Sequence, residues 1–342
     1  MKNTNIAESV FRVNLKYVDL QNQTKELFFR CLDEGRDINY FRAKMEQIWG
    51  NIDYTFMEEE ISSYEQEIHE QNMEKFGMKN NNTKDILKVA TAIGVGILGK
   101  KFLDTKKSFD KIQNTEAKFV MQKEKEYQNS LNSLAYKVDK EEYLKLKVQK
   151  YSNQIVPYYS KTTNELVREV ELSTYCSMIH NTNLTRTGWN TTLNDAIDMG
   201  YTKFIIPYHS FSCPYCIAHQ NQVMTLEEVI DLTGDIEEQE GDILHPNCKC
   251  SLVIYDKNID YLKPSYTKRE LEEQYHIRQK TNSLTLQKEK IKTDIKIQKR
   301  LGNEDQVDIL NQQRNKINKE IRKLKEALPT TELKKQVVAI NR

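Results

Sequence analysis

Cys213-Pro-Tyr-Cys216 and, after 28 intervening residues, His245-Pro-Asn-Cys248-Lys-Cys250 carry four of the six cysteines of this 342-residue chain. A C-x-x-C sets two thiolates on one tight turn, close enough to share an ion. A second close pair completes the four-coordinate set that structural zinc favours. Five donors, Cys213, Cys216, His245, Cys248 and Cys250, compete for four places. Cys248 and Cys250 stand closer together than the usual zinc-knuckle pair, so His245 rivals either of them. His209 and His219 lie further out. A closed four-ligand set leaves no position for substrate, so the expected role is structural. Disulfides, or plain reduced thiols, are competing states of the same residues.

Working outward, Phe204-Ile205-Ile206 before Pro207 and Leu252-Val253-Ile254-Tyr255 are short, apolar and partly β-branched, as strands are. Their pairing would bracket the cysteine window. Ser173 to Gly200 reads as one or two helices stopped by glycine. Asp235 to Asp242 reads as an acidic, solvated loop without EF-hand spacing. Upstream of Pro157, the first proline, the chain is rich in strong helix formers. Helical spacing appears at Phe11, Leu15 and Val18, and again at Leu27, Phe28 and Cys31. Asn80 to Asn82 is a turn-like break, Glu58-Glu59-Glu60 a solvated helix face, and Trp189 a core residue. Beyond Pro264, Leu271, Tyr275 and Arg278, then Ile291 and Ile295, mark an amphipathic basic helix. Leu301-Gly302-Asn303 reads as a turn, and Ile317, Ile321 and Leu324 as a second helix, together a helical hairpin or coiled-coil arm. The expected fold is mainly α, with a small α+β module stapled by cysteine and histidine at 172–256. A helical region, 1–171, precedes it and a basic helical arm, 257–342, follows.

Composition agrees. Only 38% of residues are hydrophobic and 30% are charged, which favours long solvated helices around a smaller compact unit. From Lys257 to Arg342 there are 21 basic and 12 acidic residues, a net of +9, so the remainder, with 30 basic and 38 acidic, carries −8. A basic tail on an acidic body predicts an anionic partner. The residues expected to meet it are Lys292, Lys296, Lys299, Arg300, Arg314, Lys316, Lys319, Arg322 and Lys323. The first residues lack the apolar core of a signal peptide, so the cysteines are expected to start reduced in a cytoplasm. The apolar run Val89–Gly99 has 11 residues, against about 20 for a bilayer span. A buried or surface-lying helix is expected there rather than a membrane span.

Enzyme readings find little purchase. Cys213-Pro-Tyr-Cys216 resembles the glutaredoxin tetrapeptide, where a helix N-terminus activates the first thiol. The cis-proline loop that would face such thiols is missing, so a thiol–disulfide oxidoreductase acting through Cys213 is only the alternative. A zinc deaminase would need H-x-E, and His209-Ser-Phe lacks the glutamate. Gly94 to Gly99 satisfies G-x-G-x-x-G, but Lys101 stands where a P-loop needs a hydroxyl, and no strand–helix alternation surrounds it. No nucleophile-elbow sequence appears.

One stretch resembles a known family. Tyr175, Arg186-Thr-Gly-Trp-Asn190 and Gly200-Tyr-Thr-Lys-Phe-Ile-Ile lead into Cys213-Pro-Tyr-Cys216. Gln220-Asn-Gln-Val223 and His245-Pro-Asn-Cys248-Lys-Cys250-Ser-Leu follow. Together they are similar to the minor head proteins of tailed phages, the Mu F-like proteins and the related phage minor capsid protein 2 family. The likeness covers roughly 80 residues, and His245 to Cys250 is its most specific part. Asn221 replaces the family's glycine, a mild departure because asparagine tolerates a left-handed backbone. The resemblance implies a virion component inside the head, near the portal, contacting portal and capsid proteins and packaged double-stranded DNA. The lysines and arginines of the tail would then neutralise phosphates without reading sequence. A zinc-module nucleic-acid-binding protein outside any virion is a further alternative.

Overall fold

The computed structural model describes residues 6–50, 52–77, 83–134, 155–159, 166–208, 214–233, 248, 250–259, 261 and 267–327. In chain order these form α1 (Ile6–Glu34), α2 (Ile38–Trp49), α3 (Thr55–Phe76), α4 (Thr83–Leu134), β1 (Ile155–Tyr159), β2 (Leu166–Glu171) and α5 (Leu172–Met199). Then come β3 (Lys203–Ile205), α6 (Pro214–Ile217), β4 (Val223–Thr225), α7 (Leu226–Thr233), β5 (Val253–Ile254), α8 (Lys268–Arg300) and α9 (Glu304–Ala327). The architecture is mainly helical with a small sheet beside the cysteines, as expected from the sequence. Among the described residues no helix is long and apolar enough to cross a membrane. The run Val89–Gly99 falls inside α4, so its glycines are helical and form no phosphate-binding loop. Asn80–Asn82 and the acidic segment Asp235–Asp242 lie outside the described residues.

Local signals set the helix ends. Asp37 caps α2 by accepting from the Tyr40 amide at 2.8 Å. Thr267 and Glu270 form a capping box at the start of α8. Gly200 ends α5 in the left-handed conformation, φ 79°, and the next amide, Tyr201 N–H, donates to the Ala196 carbonyl at 2.7 Å. Gly302, φ 72°, makes the expected turn between α8 and α9.

Two expectations for the N-terminal region need correction. Residues 1–171 are not wholly helical, because β1 and β2 form an antiparallel ribbon with Pro157 opposite Glu169. The β-branched and aromatic residues Ile155, Val156, Tyr158 and Tyr159 favour it, and a two-stranded ribbon has only edge strands, where proline is tolerated. On α1 the correction is confined to one position: Phe11 stays 39% exposed, while Val18, Leu27, Phe28 and Cys31 are buried as expected and Val13 and Tyr17 join them. Helix α1 meets α5 as well as α2 and α4, so its partners, not apolarity alone, choose which positions are covered.

Helix α5 joins the two cores. Its first half contributes Leu172, Cys176 and Leu184 to a core shared with α1 to α4. Its second half contributes Trp189, Leu193 and Ala196 to the core of the small α+β module. The helix is largely buried yet unusually polar, and several of its polar side chains meet partners on neighbouring elements. Asn14 donates to Ser177 Oγ at 3.0 Å. Asp195 takes His69 on one carboxylate oxygen at 2.7 Å and the Asn72 amide on the other at 2.8 Å. His180 Nε2 lies 2.8 Å from Ser9 and 3.1 Å from Glu60. Glu60 therefore corrects the solvated-run expectation: Glu58 and Glu59 are exposed, but Glu60 is half-buried in a network with Ser9, Arg12 and His180.

Two measurements test this packing. At Gly188 a Cβ would lie 2.8 Å from the Tyr64 ring, so Gly188→Ala should destabilise by about 1–2 kcal/mol in denaturant unfolding even after its gain in helix propensity. Pairing it with Tyr64→Leu should recover part of that loss. Burial alone would raise the Glu60 pKa, but hydrogen bonds from His180, Ser9 and Arg12 outweigh it and hold it at about 2, against 4.5 when unstructured. The folded state thus binds this proton more weakly. The stabilisation is complete above pH 4.5 and disappears as pH falls towards 2. Glu60→Gln should flatten that limb of a stability–pH curve.

Candidate metal centre

The centre is built on β3. This strand pairs antiparallel with β4, Phe204 opposite Met224, and on its other edge with β5, Phe204 opposite Ile254. The pairing of the Phe204 and Ile254 segments is the one read from the sequence; β4 was not foreseen. Ile206 extends β3 into a bridge with Gln220. Between them the chain makes the single helical turn α6, which turns Cys216 inward. Asn221 closes the excursion at φ 58°, its amide donating to the Ile206 carbonyl at 2.8 Å. A left-handed asparagine thus stands at the position where that backbone was anticipated.

The second half of the site is held by α5. Asn181 Nδ2 and Thr185 Oγ1 each donate to the Cys248 carbonyl at 2.7 Å. Trp189 Nε1 donates to the Cys250 carbonyl at 2.7 Å, and Thr192 Oγ1 to the Leu252 carbonyl at 3.3 Å. The acceptors are alternate residues and the donors sit on successive turns. With both carbonyls held by α5, the Cys248 and Cys250 sulfurs come to one point.

Cys216, Cys248 and Cys250 are all buried, with exposures of 0%, 1% and 1%. Their sulfurs lie within 4.8 Å of one another, and Cys216 Sγ is 3.4 Å from Cys248 Sγ. That is well beyond a disulfide bond of about 2.05 Å, and no disulfide occurs among the described cysteines. Thiolates on one tetrahedral zinc ion stand about 3.8 Å apart, given Zn–S bonds of ~2.3 Å. The trio therefore fits a metal ion with little rearrangement. The close spacing of Cys248 and Cys250, which had made one of them dispensable, does not keep either out. Cys213 and His245, the expected further ligands, lie outside the described residues, as does His209. His219 is not part of the sulfur group; its backbone amide donates to the Cys216 carbonyl at 3.1 Å.

The remaining two cysteines sit elsewhere. Cys31 and Cys176 belong to the helical core. Burial pushes the Cys31 thiol up to about 11 and the Cys176 thiol well above its ordinary value. Both are packing groups rather than nucleophiles.

The basic residues expected to act together are divided by the arm's geometry. A Lys280–Glu320 ion pair at 2.7 Å marks the antiparallel register of α8 and α9. Lys292, Lys296, Lys299 and Arg300 lie near the hairpin tip. Lys316, Lys319, Arg322 and Lys323 lie beside the first half of α8, about 24 Å away at ~1.5 Å per residue. Arg314 is half-buried on the face of α9 turned towards α8.

No protein-family model, curated protein or solved structure matches this chain.

The α5 contacts have a measurable weight. Trp189→Phe withdraws the indole donor from a buried carbonyl and should cost about 1–3 kcal/mol. Denaturant unfolding will read this loss, and the native cysteines should become more reactive to a thiol reagent in the same variant.

Proposed function

We propose that this chain is a structural minor head protein of a tailed-phage virion, lying inside the head near the portal. Its cysteine module would serve as a zinc staple and its basic arm would face packaged DNA. The observation that carries the structural part is the burial of Cys216, Cys248 and Cys250 in one core, with the latter two fastened to α5 through their own carbonyls. A sulfur used for exchange chemistry must be reached by its substrate. In a Cys213-based oxidoreductase Cys216 would be the resolving thiol, yet its sulfur is fully buried against Cys248. The helix at the C-x-x-C is four residues long, too short to supply the dipole on which glutaredoxin-like activation depends.

The virion assignment is supported by the resemblance of the Tyr175–Leu252 stretch, above all by His245-Pro-Asn-Cys248-Lys-Cys250. Portal and capsid proteins and double-stranded DNA are the partners that go with it. Zinc is favoured by an all-sulfur trio, since soft thiolates select zinc over hard cations. Cys216, Cys248 and Cys250 would hold it, with Cys213 or His245 supplying the fourth donor. The ion would cross-link α6 to the segment that enters β5.

Elemental analysis of protein purified without chelator should give close to one zinc per chain, and Cys216→Ser and Cys248→Ser should each lower that content and the melting temperature. Metal-free protein with unchanged melting in both variants would refute the staple. Proteomics of purified DNA-filled particles should detect the chain at low copy number, and its absence there would refute the virion assignment.

A further inference from the structure

The exposed outer face of α9 separates its charges along its length. At ~100° per residue, Val307, Leu310, Arg314, Ile317, Ile321 and Leu324, spaced alternately three and four apart, form one stripe. All are buried or half-buried. Lys316, Lys319, Arg322 and Lys323 fall within about 120° of arc on the opposite side of the helix, and all four are exposed. On that outer side the first turns carry Glu304, Asp305 and Asp308 instead, and the basic end carries one acid, Glu326, against its four cations.

The hairpin tip is nearly neutral. From residue 288 to 308 the cations are Lys288, Lys290, Lys292, Lys296, Lys299 and Arg300, six against the five carboxylates Glu289, Asp294, Glu304, Asp305 and Asp308. Several are already engaged: Lys290 with Glu171, Lys292 with Glu289 at 2.8 Å, and Arg300 with Glu26 at 4.0 Å. Among the described residues no ion pair or side-chain hydrogen bond engages Lys316, Lys319, Arg322 or Lys323.

Helix electrostatics account for part of the polarity but not all of it. Acids in the first turn and Lys325 in the last answer the macrodipole, whose influence fades within a turn of each end. Lys316 and Lys319 stand two or more turns inside. A protein partner would need apolar or aromatic anchors, and between Lys316 and Lys323 the outer face has none, because Ile317 and Ile321 are on the covered side. A phosphate backbone needs only the cations.

We infer that the C-terminal half of α9, through Lys316, Lys319, Arg322 and Lys323, is the surface that contacts the phosphate backbone of double-stranded DNA, and that the α8 tip is not. The acids of the first turns repel phosphates, so the duplex crosses the arm at this half instead of lying along it. The inference rests on the DNA-contacting part of the proposal above and narrows it to four side chains.

The test is binding of the full chain to a random-sequence duplex as salt is varied. Replacing Lys316, Lys319, Arg322 and Lys323 together by Gln should reduce the slope of log K against log salt by about 3–4 and weaken low-salt binding by roughly tenfold or more. Lys292→Gln with Lys296→Gln and Lys299→Gln should change the slope by less than about 1. Circular-dichroism melting confirms that both variants keep their helices. A loss confined to the α8 variant would overturn the inference and leave DNA binding standing. Wild-type protein that binds no duplex at any salt would remove both. A polyglutamate peptide that binds the α9 face as tightly as duplex would reassign it to an acidic protein and overturn the inference.

Discussion

The grip of α5 on alternate carbonyls of the Cys248–Leu252 segment is the constraint on which the small module depends. A segment outside a sheet ladder has carbonyls that must find donors once buried. Asn181, Thr185, Trp189 and Thr192 supply them from one helix face. The register then follows. A slip by one residue would turn both cysteines away from Cys216 and would move Leu252 and Ile254 out of the core. The sulfur cluster and the apolar core are therefore two readings of one alignment, and a metal ion would act on an arrangement that hydrogen bonds already define.

The same helix explains why a chain so low in apolar residues holds together. Several of its polar positions are the contacts by which α1, α3 and the β5 segment are recognised. Ser177 meets Asn14, His180 meets Glu60, and Asp195 meets His69 and Asn72. Buried hydrogen bonds of this kind contribute modestly when made and cost much when lost. They specify one packing of α1 and α3 on α5 among the several that apolar contact alone would allow. Gly188 adds a steric condition at the same crossing, because only a residue without a side chain lets the Tyr64 ring lie against the helix.

Much of this was legible in the sequence, and the failures have physical causes. Gly200, Gly302 and the two short β-branched runs gave away helix ends and strands, because those signals are local. The β1–β2 ribbon was missed because an isolated pair of strands inside a helix-rich composition produces no periodicity long enough to notice. The α5 ladder was missed for a different reason: polar residues at positions 181, 185 and 192 look like a solvent-facing stripe unless the carbonyls opposite are known. Glu60 misled similarly, since a run of three glutamates reads as exposed although one of them faces His180. Cys248 and Cys250 were legible as ligands, but that both would converge on Cys216 depended on the tertiary grip of α5 on their carbonyls.

The arm teaches the converse about charge. A net excess of cations over 86 residues is a property of the linear chain, whereas a binding surface is a property of the folded one. Antiparallel pairing brings the lysine-rich end of α8 alongside the acidic start of α9, and Lys290, Lys292 and Arg300 are separately engaged by Glu171, Glu289 and Glu26. What the pairing leaves unbalanced is the opposite end. The hairpin turn at Gly302 thus sets the electrostatics of the arm as much as its shape: by reversing the chain after α8, it cancels one basic segment and leaves the other for solvent.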